Sequence, residues 1–232
     1  MKNIIYVGGV VIVATLAIVL TDKYNERANK SLENKNQKLQ EQNEKFHNEK
    51  EYLQSRPTEY KKENGYRVWP EMEKKASRLV KESDGEFKKS WALYLVREAD
   101  RYKIDPFLVY ELLKVESGAT FEPALVGPET EYGHAYGMAQ FMKNTAPWVA
   151  DMADLPYKEE LLYDPYYSMQ LSLVYLDFLH NKYGNWDEAL TAYHRGIGGL
   201  EQFKEEKGEA ADWYAKEIQN NARTHNTVAS SN

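Results

Sequence analysis

Twice in this chain an Asp-Pro pair opens a run of apolar residues at helical spacing that a glycine then closes: Asp105-Pro106 to Gly118, and Asp164-Pro165 to Gly184. Aspartate caps the free N–H groups of a first turn, proline fits the first helical position, and glycine accepts the left-handed conformation just past a helix end. This punctuation predicts helices over 106–117 and 165–183. In the second, the rows Met169, Leu173, Leu176 and Leu171, Val174, Phe178 form a broad apolar face that must be core. In the first, Val109, Leu112 and Leu113 stand seven, four and three residues before Glu116, which sets a carboxylate beside the buried stripe at the helix end. Burial and the negative end of the helix dipole both disfavour its charge, as a general acid requires. A glutamate near a helix end is ordinarily a solvated surface residue, so the helix alone does not decide its role.

The other segments continue the helical theme. Further helices are predicted over 86–102, 148–153, 185–195, 200–206 and 209–223, with Asn185 and Glu188 forming a capping box and Gly196 to Gly199 reading as a turn. No run of consequence alternates at strand period, so the fold class is all-α. Residues 57–85 read as a linker holding one short helix over 71–81, and 224–232 as a flexible tail. Residues 4–20 form an uncharged apolar run about long enough to cross a hydrocarbon core near 30 Å thick. No small-x-small cleavage site follows it, which favours an uncleaved single-pass transmembrane helix over a signal peptide. Lys2 ahead of the run, against a nearly balanced charge behind it, orients the remainder to the extracytoplasmic side of the cell membrane. Residues 21–56 carry Leu32, Leu39, Phe46 and Leu53 at heptad spacing, with Asn29, Asn36, Asn43 and Lys50 at the companion position. One polar member per heptad makes at best a weak coiled coil, so the segment reads as a solvated stalk that admits a weak homodimer, reaching about 50 Å as a helix.

A formal charge of -6 offers no basic surface for nucleic acid, and the absence of cysteine removes thiol nucleophiles, thiolate metal sites and disulfides together. The five histidines, His47, His134, His180, His194 and His225, never fall three or four apart, so no metal site and no cofactor is expected. Nucleophile elbows and phosphate loops are absent as well. Carboxylates remain. A two-carboxylate glycosidase needs a partner for Glu116, and Glu122, Glu129 and Glu131 all qualify, with no spacing rule to choose among them.

Three short motifs add a resemblance. Glu116-Ser117 at a helix end, then Gly137-Met138-Ala139-Gln140, then Ala192-Tyr193-His194-Arg195-Gly196 follow in order the Glu-Ser, Gly-Leu-Met-Gln and Ala-Tyr-Asn-x-Gly motifs of the soluble-lytic-transglycosylase (SLT) type of lytic transglycosylase. The resemblance covers about 88–219, and the domain is placed at 86–223. His194 stands where the family usually has asparagine, and Met138-Ala139 replaces Leu-Met. The resemblance implies a lysozyme-like helical domain related to goose-type lysozymes. It also implies lyase-type cleavage of the β-1,4 bond between N-acetylmuramic acid and N-acetylglucosamine in cell-wall peptidoglycan, with a 1,6-anhydro product. Glu116 would be the catalytic acid and base. Tyr193 would orient it or the sugar, and Ser117, Gly137, Met138, Gln140 and His194 would complete the substrate-binding cleft. A tyrosine that merely packs, a loop turn and a helix cap are the plainer readings of the same residues. Hydrolysis by a second acidic group, or a catalytically silent wall-binding module, are the alternative functions.

Overall fold

The computed structural model describes Lys23 and residues 27–48, 65–130 and 132–229. The apolar run over 4–20, Glu131 and the final three residues lie outside the described residues. Among the described residues no helix is long and apolar enough to cross a membrane. The chain divides into two units, Met1–Glu51 and Tyr52–Asn232. In the first, helix α1 spans 27–48 and carries Leu32, Leu39 and Phe46 on its exposed surface, 58, 47 and 67% accessible. The heptad positions therefore form an open apolar row along one helix.

The second unit is helical, as expected: α2 (Gly65–Glu82), α3 (Lys89–Tyr102), α4 (Pro106–Glu116), α5 (Ala146–Asp151), α6 (Pro165–Tyr183), α7 (Trp186–Lys207) and α8 (Trp213–Ala229). A 3-10 turn, Glu159–Tyr163, leads into α6, and a small antiparallel hairpin joins β1 (Ala135–Tyr136) to β2 (Phe141–Met142). The two Asp-Pro starts form as read. Asp105 accepts the Phe107 N–H and Asp164 accepts that of Tyr167, while Asn185 accepts that of Glu188 at the start of α7.

Helix α4 lies at the centre. It packs on α3, α6 and α8, and residues Pro106 to Leu113 are all buried. An apolar helix enclosed on most sides holds its final turn rigidly, because moving it would open cavities at Leu112 and Leu113, both inaccessible to solvent. That final turn delivers Glu116.

Three expectations are corrected. Residues within the supposed linker form α2, which packs along α3 with Ala76 and Leu79 fully buried. Its polar composition hides a narrow stripe of Met72, Ala76, Leu79 and Val80, enough to join the core. The supposed tail continues α8 to Ala229, and its His225 is only 4% exposed. Finally, α7 does not stop at Gly196: it bends there, where φ of +77° and ψ of 165° break the helical path before the chain resumes to Lys207. A side chain at that φ would be strained, so glycine permits the bend.

Candidate active site

Four chain segments meet around the end of α4. Ser117 follows Glu116 as the C-cap, its hydroxyl donating to Leu113 O at 2.7 Å and accepting the Phe121 N–H at 3.0 Å. The hydroxyl is thus engaged on both sides by its own chain and is 97% shielded, so Ser117 secures the helix end rather than facing a ligand. Glu116 is half-buried. Its Oε1 accepts a 2.6 Å hydrogen bond from the Tyr214 hydroxyl. Loss of water pushes its carboxyl from the ordinary 4.5 up to about 7, against the Tyr214 hydrogen bond, which favours the charged form. Among the described residues no second carboxylate contributes to this shift.

The hairpin tip carries the second motif. Gly137 has φ of +75°, and a Cβ there would lie 1.9 Å from Leu162 O, so only glycine lets the tip close onto the 3-10 turn. Its N–H donates to Leu125 O at 2.8 Å, and its carbonyl accepts from both the backbone and the side-chain amide of Gln140. Gln140 itself adopts φ of +51° and is half-buried with its side chain folded over the tip. Met138 is fully buried, which corrects its expected place in the cleft: its side chain fills the core under the tip and only its backbone is near the surface.

Helix α7 brings the third motif. The Tyr193 hydroxyl donates to Ala139 O at 3.1 Å and lies 3.4 Å from Ser172 Oγ, so it pins the hairpin tip to α6 and α7. Burial and the nearby Glu116 charge hold its phenol protonated, far above the ordinary value. Its ring lies nearly parallel to that of Tyr214, 6.5 Å away and 11° apart. On the other side His194 stacks on Tyr214 at 4.8 Å and 12°. His194 Nδ1 bonds Asp212 Oδ2 at 2.8 Å, and Arg195 Nε bonds the same oxygen at 2.8 Å.

The structure therefore joins all three motifs in one chain of contacts from Ala139 through Tyr193 and Tyr214 to Glu116, but it reassigns a role. The hydroxyl on the acid belongs to Tyr214, and Tyr193 supports it from the side. Tyr214 and Asp212 went unread in the sequence. Tyr214 stands 98 residues from Glu116 and is one of 18 tyrosines. The available signal was Asp212, whose Oδ1 accepts the Ala215 N–H at 3.0 Å as an N-cap: taking it as the helix start would have set Tyr214 on the first turn. Of the candidate partner carboxylates, Glu122 turns its Oε1 to the Ala124 N–H, Glu129 is exposed, and Glu131 lies outside the described residues.

A protein-family model, the transglycosylase SLT domain, matches residues 94–216. The chain belongs to this family. The matched segment takes in Glu116, the hairpin tip, the α7 motif and Tyr214, and it indicates a peptidoglycan-binding enzyme of lytic transglycosylase type on an all-α domain. Comparisons with curated proteins and with solved structures give no match.

Proposed function

We propose that the SLT domain cleaves the β-1,4 bond between N-acetylmuramic acid and N-acetylglucosamine with Glu116 as its sole acid and base, releasing 1,6-anhydromuramyl ends. The observation that carries this reading is the state of Glu116: a desolvated carboxyl, protonated up to about 7, whose hydrogen-bonding side-chain neighbour is the neutral Tyr214 hydroxyl. With Oε1 occupied by that donor, the proton resides on Oε2, which protonates the glycosidic oxygen as the bond to C1 of the muramyl unit breaks. The positive charge at C1 is then quenched by the C6 hydroxyl of the same sugar. Its proton passes to Oε2, restoring the acid. No water and no second carboxylate enter. The Gly137 to Gln140 tip, Tyr193 and His194 stand along the same site, with Gln140 and His194 half-buried and able to reach a glycan.

Digestion of purified sacculi followed by mass spectrometry tests the reaction. Anhydromuropeptides are expected, whereas reducing ends alone would establish hydrolysis of the goose-type-lysozyme kind. Lysis by Glu116→Gln equal to that of the wild type would leave only a wall-binding module.

The apolar run over 4–20 supports a tether in the cell membrane, and the open Leu32, Leu39, Phe46 row supports a weak homodimer through the stalk. Fractionation with alkaline extraction tests the first: recovery in the soluble fraction contradicts it. Sedimentation of the detergent-solubilised protein tests the second, and a strictly monomeric result removes it.

A further inference from the structure

Tyr214 controls one oxygen of Glu116, and the groups that control Tyr214 lie beyond any contact with that carboxyl. The ring of Tyr214 is 1% exposed and sandwiched between two nearly parallel rings, Tyr193 at 6.5 Å and His194 at 4.8 Å. Trp213 meets the His194 ring edge-on at 5.3 Å. Tyr193 is itself fixed by Ala139 O. The closer face of the sandwich therefore depends on His194, a side chain 32% exposed that packing alone would leave free to turn.

Asp212 prevents that turning. Its side chain is fully buried and every acceptor position is oriented: Oδ1 by the Ala215 N–H, Oδ2 by His194 Nδ1 and Arg195 Nε, while its own N–H donates to Thr191 Oγ1 at 3.1 Å. Burial works against the Asp212 charge, yet the bonds from His194, Ala215 and Arg195 hold its carboxyl below the ordinary range. An ionised carboxylate only accepts, so His194 presents Nδ1–H to it, and this sets both the tautomer and the plane of the ring.

We propose that Asp212 and His194 are a positioning couple for the acid. Asp212 fixes the His194 plane, His194 fixes the tilt of Tyr214, and the Tyr214 hydroxyl then holds Glu116 Oε1 so that Oε2 alone carries the proton to the glycan. The proposal rests on the reading of Glu116 as the acid. A displacement of about 1 Å at such a contact is enough to cost on the order of 100-fold in rate. Neither residue need touch substrate for the couple to act, so it is separable from a contact role in the cleft.

The test uses the full chain with His194→Ala, which removes the ring, and His194→Phe, which keeps the stack but loses the bond to Asp212. Thermal melting confirms folding of each. The readouts are kcat on sacculi, affinity for sacculi, and a carbon-13 NMR titration of the Glu116 carboxyl. For H194A the couple predicts a kcat about tenfold lower, unchanged affinity, and an upward move of the Glu116 midpoint, because the loosened Tyr214 bond no longer favours the charged form. H194F falls between H194A and the wild type on each. A lower melting temperature with unchanged kcat and an unchanged midpoint would show a merely structural role and overturn the proposal, as would an H194F indistinguishable from the wild type. Weakened sacculus affinity at unchanged kcat would make His194 a substrate contact instead. If the wild type itself cleaves no glycan, the functional reading fails, and the NMR titration still judges the couple.

Discussion

Helix α4 carries two glutamates five residues apart, and they have opposite fates. Glu111 is the more deeply buried, 1% exposed, yet it is held below the ordinary carboxylate range. Burial pushes its carboxyl up, but His225 Nε2 at 2.7 Å and Lys114 Nζ at 3.3 Å outweigh that push. Glu116 feels the same penalty and meets only a phenol, so its proton is retained to about 7. Depth does not choose which carboxyl keeps its proton; the charge of the partner does. Helix α8 supplies both partners, Tyr214 to Glu116 near its start and His225 to Glu111 near its end. His225 also bonds Glu82 of α2 through Nδ1 at 2.6 Å and stacks on Phe107. One end of the pair of helices is thus an ionic clasp and the other a chemically poised acid.

Glu116→Gln breaks the comparison most sharply. Glycan cleavage is expected to fall about 1,000-fold, within the range for losing a positioned general acid, while thermal melting shows a folded protein. Retained activity would place the chemistry elsewhere. Glu111→Gln acts on the opposite side of the comparison. It leaves His225 buried beside a neutral amide, and breaking a buried pair in this way costs about 3–5 kcal/mol of stability, to be read by denaturant unfolding. The Glu116 titration should barely move.

Stability against pH separates the two glutamates next. The Glu116 pKa is raised on folding, so between 4.5 and about 7 the unfolded chain has lost a proton that the folded protein keeps. Stability then falls as pH rises through that window, by on the order of 3 kcal/mol, and E116Q should remove this component of the slope. The depressed Glu111 pKa has the reverse sign: its contribution is present above the unfolded carboxylate range and is lost as pH falls through the folded value. Denaturant midpoints measured at successive pH values for wild type and both variants resolve the two components. The smallest effect is expected for Tyr214→Phe, about tenfold in kcat, near 1.4 kcal/mol. The alkaline limb of its rate profile should move upward, because the lost hydroxyl favoured the charged form of Glu116. An unchanged limb would detach Tyr214 from the acid.

The central helix was legible because its ends are written locally: Asp105 and Pro106 at the start, Ser117 and Gly118 at the finish, and an apolar run between them. Helix α6 was readable for the same reason. Helix α2 was not, since its core stripe is thin and Pro70 interrupts it. The acid could be named from its place beside the stripe and from the motifs that follow it. Its hydrogen-bond partner could not, because Tyr214 and His225 reach α4 through tertiary packing of a helix that shares no local pattern with it. The same limit explains Met138. A motif position shows that a residue belongs to the hairpin tip, but whether its side chain faces the cleft or the core depends on what packs beneath.

The most direct test is a carbon-13 titration of the side-chain carboxyls of the wild-type protein, with Glu116 and Glu111 assigned by the Gln variants. The account predicts a Glu116 midpoint near 7 while Glu111 stays ionised through the same range. Both carboxyls titrating together in the ordinary range near 4.5 would contradict it.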